Sequence, residues 1–212
     1  MERMDSVKRT RLSPEQRRAQ LIDLGVEMLS ERTLDAISVE DIADQAGVSR
    51  GLLFHYFSSK HDFHVAMVEH TSRQMLDATE PPVGLDPLTT LAVALASYVD
   101  YVTEHRSSYV SLLRGTASGD PDMRAVFERT RDVMVERTVS QLPLLGVERI
   151  PRIALAVRGW VVFCEEVTIT WLSREDLDRD ELIELLVHAL PAVALGPDGA
   201  TELSAARSSA VT

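Results

Sequence analysis

Cysteine is nearly absent. Cys164 is the only one in 212 residues, so no internal disulfide can form and the fold must hold by packing. Its apolar neighbours predict a buried, inert thiol in a reducing cytoplasm. Glycine and proline are few and clustered, and β-branched runs are rare, whereas Ala, Leu, Glu and Arg dominate. That balance favours helices. Long apolar runs are missing too. The most apolar stretch, Ile153 to Leu172, contains Arg158, Glu165 and Glu166, which predicts a buried helix rather than a membrane span. Met1 to Arg11 is polar and carries no signal-peptide core, so no export leader is expected. Nor is there a P-loop, a dinucleotide fingerprint, a G-x-S-x-G elbow or an HExxH motif. Glu165 and Glu166 are adjacent, and neighbours on a helix point about 100° apart, so they form no catalytic dyad. No enzyme and no cofactor are expected. Six histidines (His55, His61, His64, His70, His105 and His188) raise the question of a metal. His61 and His64 have the spacing to share a helix face, but no Cys or carboxylate cluster completes a site, so no metal is expected.

Hydrophobic residues make up 45% of the chain and charged residues 26%, an ordinary soluble composition with material for a core. The net charge of −11 argues at first against a polyanionic partner. Its distribution changes that reading. The first 18 residues carry six basic groups (Arg3, Lys8, Arg9, Arg11, Arg17, Arg18) against three acidic ones, whereas 61–212 carries 13 basic and 23 acidic. Binding to phosphate depends on the local patch, not on the total.

Helix punctuation is explicit. Ser13-Pro14-Glu15-Gln16 supplies a cap, a proline at the first helical position and a capping-box partner, predicting a helix over 14–32. Ser38 with Asp41 starts a second, short helix, which Gly47 terminates. Ser49 caps a third helix reaching about Phe57, and Ser59 with Asp62 opens a fourth. The prolines and glycine of 79–87 read as a linker. Longer helices are predicted at about 88–105, 107–114, 121–142, 148–173 and 178–193. The fold class is therefore all-α, with a three-helix N-terminal unit ahead of a larger helical domain. The expected division is a flexible basic arm over 1–12, a three-helix domain over 13–60, a larger helical domain over 61–195, and a disordered tail over 196–212.

Two short helices meeting at Gln45-Ala46-Gly47-Val48-Ser49 make a helix-turn-helix, with glycine permitting the positive φ of the turn. Ile42, Ala43, Val48 and Leu53 can form its small core, and Leu53 and Phe57 read as core residues. Phe54, His55 and Tyr56 are three consecutive rings that cannot all face one core, so at least one must point outward. These residues also carry a family likeness. Val39-Glu40-Asp41-Ile42-Ala43, then Ala46 through Phe57, then Ser59-Lys60 resembles the DNA-binding signature of the TetR family over roughly residues 14–65.

The resemblance implies roles. Arg50, Gly51 and Leu52 fall where the family approaches base edges, and Arg50 is positioned to pair with guanine. Phe54 stands where the family often has tyrosine, so a thymine-methyl or sugar contact replaces a polar one. His55 and Tyr56 match positions that touch backbone or base, and Lys60 matches a phosphate clamp. Ser38 and Ser49 cap their helices and bring hydroxyls and helix N-termini toward phosphate. Double-stranded DNA with a palindromic operator is the implied partner, repression the implied mode.

Beyond the linker no further family motif is recognisable. The 148–173 helix is apolar on two sides: Ile153, Val157, Trp160, Cys164, Val167 and Trp171 on one, Leu155, Gly159, Val162, Glu166 and Ile169 on the other. A helix of this kind is central, packing on its own domain and on a second partner. With the last helix it would make a four-helix homodimer interface, as the family also implies. Tyr98, Tyr101, Tyr109, Phe127, Met134, Trp160, Phe163 and Trp171 are candidates to line a pocket for a small apolar effector, against the plainer reading of ordinary core. Arg158 and Glu166 are either polar members of that pocket or a structural pair at the dimer seam. Two non-regulatory alternatives stand beside this: a nucleoid-type binder, against which the acidic body argues, and a helical ligand-binding protein or enzyme with a degenerate helix-turn-helix, against which intact Gly47, Gly51, Tyr56 and Lys60 argue.

Overall fold

The computed structural model describes residues 12–174 and 176–210. The expected basic arm lies, apart from its last residue, outside the described residues. Among those described, the chain is all-helical: α1 Pro14–Met28, α2 Val39–Ala46, α3 Arg50–Tyr56, α4 Lys60–Ala78, α5 Pro87–Glu104, α6 Arg106–Arg114, α7 Pro121–Gln141, α8 Pro151–Arg174 and α9 Arg179–Ala210, with 3-10 turns at Leu34–Ala36, Thr116–Gly119 and Leu142–Leu145. None of these helices is long and apolar enough to cross a membrane.

The caps form as the sequence predicts. Ser13 and Gln16 close one capping box, Ser38 and Asp41 a second, and Ser49 and Ser59 accept from the backbone N–H groups of Leu52 and Asp62. Three boundaries differ from expectation, each for a local reason. α1 stops at Met28 rather than 32, because the following N–H groups bond three residues back and tighten the chain into turns. α8 begins at Pro151 rather than 148, since the residue before a proline is driven out of the helical region. The same rule places a break at Gly196, ahead of Pro197 (φ 78°, ψ 179°). Beyond that kink the backbone is again helical to Ala210, where a disordered tail was expected; Ala, Glu and Leu in 200–206 are strong helix formers.

Two buried clusters hold the described residues together. The first joins Leu21, Ile37, Ile42, Leu53, Phe57, Phe63 and Met67 to Leu112, Met123 and Phe127, so α6 and the start of α7 complete the core of the N-terminal helices. The second gathers Tyr98, Val99, Val157, Trp160, Leu182 and Leu186 from α5, α8 and α9. α4 belongs to both, giving Phe63, Ala66, Met67 and Val68 to the first and Met75 to the second. Polar contacts reinforce the junction. Thr116 Oγ1 donates to Asp35 Oδ1 at 2.6 Å, and His61 Nε2 lies 2.9 Å from Asp122 Oδ2.

Candidate nucleic-acid interface and ligand cavity

The turn between α2 and α3 is closed by Gly47 in the left-handed region (φ 64°), while the Val48 N–H donates to the Ala43 carbonyl at 2.9 Å. With the Gly47 N–H donating to the Asp44 carbonyl at 3.2 Å, this bond satisfies carbonyls that the helix end would otherwise leave open. α3 is anchored from beneath by Leu53 and Phe57, both fully buried. Its outer side carries Arg50, Gly51, Phe54 and His55, all exposed, with Phe54 presenting 49% of its surface to solvent. Leu52 and Tyr56 are half-buried, and Tyr56 packs on the first core with its ring edge-on to His55 at 5.4 Å. A Cβ at Gly51 would meet only Ser49 Oγ at 3.9 Å, so internal packing does not demand glycine there.

Charges on this face are partly engaged. Arg50 Nη1 is 2.9 Å from Glu40 Oε1, and Lys60 Nζ donates to the Asp35 carbonyl at 3.1 Å. Ser49 Oγ accepts from Leu52 N–H, which leaves its proton to point outward. Ser38 is different: it accepts from Asp41 N–H and gives its own proton to Asp41 Oδ2 at 2.5 Å. Neither Glu40 nor Asp35 is legible as a partner from sequence, because no helical spacing relates them to Arg50 or Lys60.

A cavity of about 130 Å³ lies among α4, α5, α7, α8 and α9. Tyr98, Tyr109, Met134 and Trp160 line it, as the sequence reading proposed. Tyr101, Tyr109 and Phe127 line a second, smaller space of about 40 Å³ between α4, α5, α6 and α7. The hydroxyls of Tyr98 and Tyr109 share a hydrogen bond of 2.8 Å. Burial pushes both phenols well above their ordinary range and pushes Tyr101 up to about 12. Cys164 also lines the larger cavity, its thiol raised by burial and so held neutral.

Four expected ligand residues are elsewhere. Arg158 pairs with Glu128 and Asp132 on α7, and Glu166 pairs with Arg114 on α6, so the two neither line the cavity nor pair with each other. Phe163 sits on the outer side of α8 with exposed Leu155 and Val162. Trp171, likewise absent from both cavities, donates its Nε1–H to the Leu177 carbonyl at 2.7 Å. Two charged residues that sequence reasoning missed do line the larger cavity, Arg137 and Glu165. Glu165 is clasped by Arg131 through contacts of 3.0, 3.0 and 2.7 Å.

Among the described residues, His61, Asp120 and Asp122 are the one group with ligand atoms close enough to hold a metal ion. The two carboxylates face opposite nitrogens of the ring, Asp122 at Nε2 and Asp120 at Nδ1 (3.6 Å), an arrangement that suits a protonated imidazole. His64 does not join them; it is buried, and its Nε2 lies 3.2 Å from the Ile37 carbonyl.

Comparison with known proteins agrees with this geometry. The family described as bacterial regulatory proteins, tetR family, matches residues 21–67, and the tetracyclin repressor-like C-terminal domain matches 87–193. A tetR-family transcriptional regulator from Streptomyces coelicolor superposes with a TM-score of 0.77 at 29% identity, over 91% of this chain and 88% of that one. The transcriptional activator FasR of Mycolicibacterium smegmatis is 21% identical over 82% of this chain and 81% of its own. The transcriptional repressor KstR2 of the same organism is 34% identical over 52% of this chain and 54% of its own. One family match lies on the helices that carry the turn and the other spans half of the chain on the helices that enclose the cavity: the protein belongs to the TetR family of ligand-responsive, DNA-binding transcriptional regulators.

Proposed function

We propose that the protein is a cytoplasmic homodimeric repressor that reads a palindromic operator with α3 of each subunit and releases it when an apolar small molecule fills the larger cavity. In this reading 13–60 binds DNA, and 61–195 binds effector and dimerises. Arg50, Gly51, Leu52 and Phe54 meet base edges, while Ser49, His55, Tyr56 and Lys60 meet the backbone. Ser38 contributes its helix N-terminus rather than its hydroxyl proton, which Asp41 holds.

The observation that carries the proposal is the double membership of α4. Met75 of this helix and Thr79 just past its end line the cavity, while Phe63 and Met67, two to four turns earlier, lie in the core beneath the reading head. A ligand that favours one position of α4 therefore biases the position of α3. Dimerisation is supported by an uncovered apolar stripe: Leu155 and Val162 on α8, with Leu185 and Val193 on α9. Pairing that stripe with its copy makes a four-helix interface. Two recognition helices about 34–36 Å apart would then match one turn of DNA.

Selection of genomic fragments by the purified protein at near-physiological salt, followed by sequencing, tests the reading. An enriched palindrome supports it. No enrichment, or loss of all binding at modest salt, overturns it.

A further inference from the structure

We infer that the effector is an anionic amphiphile, with its apolar chain in the larger cavity and its carboxylate or equivalent head received by Arg137. This rests on the cavity being the effector site and names the chemistry the site selects.

The cavity wall is polarised. Leu91, Leu95, Trp160 and Leu190 line it from α5, α8 and α9. Arg137, Thr138 and Gln141 line it from the last turns of α7, with Thr79 at the end of α4. Among the described residues, only two that line it are charged. Glu165 is one, and its carboxylate is already matched by the fork of Arg131. Arg137 is then the cation left to act on an occupant.

Arg137 is held in a way that leaves it exchangeable on one side. Its side chain is 22% exposed, and Nη1 donates to the carbonyls of Leu76 at 2.9 Å and Thr79 at 3.3 Å. Those bonds cap α4, which any basic side chain near a helix C-terminus can do. Nη2 faces Glu80, whose side chain is 68% exposed. An ion pair with so exposed a partner is weak, because water competes for both groups. An anion anchored by an apolar chain in a drier cavity competes well for the same N–H groups, and guanidinium suits it by its fork geometry. An uncharged head offers no such exchange, and a cationic head is repelled. Since the same guanidinium caps α4, the exchange is felt directly by the helix that reaches the reading head.

The test uses the full chain with Trp171→Phe, so that Trp160 in the cavity reports alone. Dodecanoate, dodecan-1-ol and dodecylammonium are titrated separately below their aggregation limits at neutral pH, with calorimetry as a second readout. Dodecanoate is expected to bind about tenfold or more tighter than the alcohol. In Arg137→Gln that advantage falls to within about twofold with alcohol binding unchanged, and Arg137→Lys restores part of it. Thermal unfolding verifies that each variant is folded, and Arg137→Lys carries the comparison if Arg137→Gln is not. Equal affinities in the parent, tighter binding of the amine, or an anion advantage that survives Arg137→Gln overturns the inference while leaving an apolar effector site standing. Failure of dodecanoate and dodecanol alike to bind in the cavity overturns both.

Discussion

Arg50 at the head of the recognition helix is tied to Glu40 of the preceding helix, Nη1 to Oε1 at 2.9 Å, with both side chains largely in solvent. The pair holds the proposed base-reading arginine in place in the DNA-free protein. Breaking it is cheap, because exposed pairs contribute only about 0–1 kcal/mol. Glu40→Gln should therefore tighten operator binding a few-fold by freeing Arg50 and removing a negative charge near phosphate. Arg50→Ala should relax preference at one base pair per half-site, whereas Lys60→Ala should weaken all sequences and lower the salt slope by about one unit. Binding titrations against operator variants over a range of salt distinguish these. If Arg50→Ala behaves like Lys60→Ala, Arg50 does not read a base.

Gly25 on α1 faces Phe63 and Met67 of α4. A Cβ there would stand 2.8 Å from Met67 Sδ and 2.8 Å from Phe63 Cζ, both in fully buried side chains. Gly25→Val should destabilise by about 2–3 kcal/mol through overpacking. Scanning calorimetry should show Tm lower by roughly 5–10 °C. An unchanged Tm would mean that α1 and α4 adjust without strain.

The junction between α4 and α7 should respond to pH. The hydrogen bond to Asp122 holds the His61 pKa above its ordinary 6.5, with the charges of Asp120, Asp122 and Asp62 acting in the same sense. A raised folded-state pKa gives stability that is complete below the unfolded value and fades as pH rises through the folded one. His61→Gln should thus lower Tm most at about pH 6 and hardly at all at about pH 9. His64 works oppositely, its pKa lowered chiefly by burial; the charge of His61 is only one of the smaller contributions to that shift, so most of it is common to both proteins. A Tm difference that does not change with pH would show that His61 contributes no titrating contact.

The apolar stripe of α8 and α9 gives a direct test of assembly. Leu155 is 72% exposed and Val162 follows two turns on. Leu155→Glu combined with Val162→Glu should yield a monomer by sedimentation and reduce operator affinity about 100-fold, as two linked half-sites become independent. A dimer that persists in the double variant would move the interface elsewhere.

The reading head was legible before any coordinates because its signals are local. Ser13 with Gln16, Ser38 with Asp41, and Gly47 at the turn act within one helical turn, so residue type and spacing suffice. The two-sided character of α8 was legible too, since an angular period is a property of the sequence. Which side faces inward was not. Trp160 and Met134 fell into the cavity, but Phe163 lies on the outer side of α8, and Arg158 and Glu166 found partners on α7 and α6. Arg137 carried no signal at all, being one arginine among several on a polar helix until α4 ended beside it. By itself, then, the sequence determined the helices, their caps, the turn and the family. Tertiary structure alone decided the cavity wall, the pairing of Arg50 with Glu40 and the joining of two cores through α4, because those depend on contacts between residues tens of positions apart, where no local period reaches.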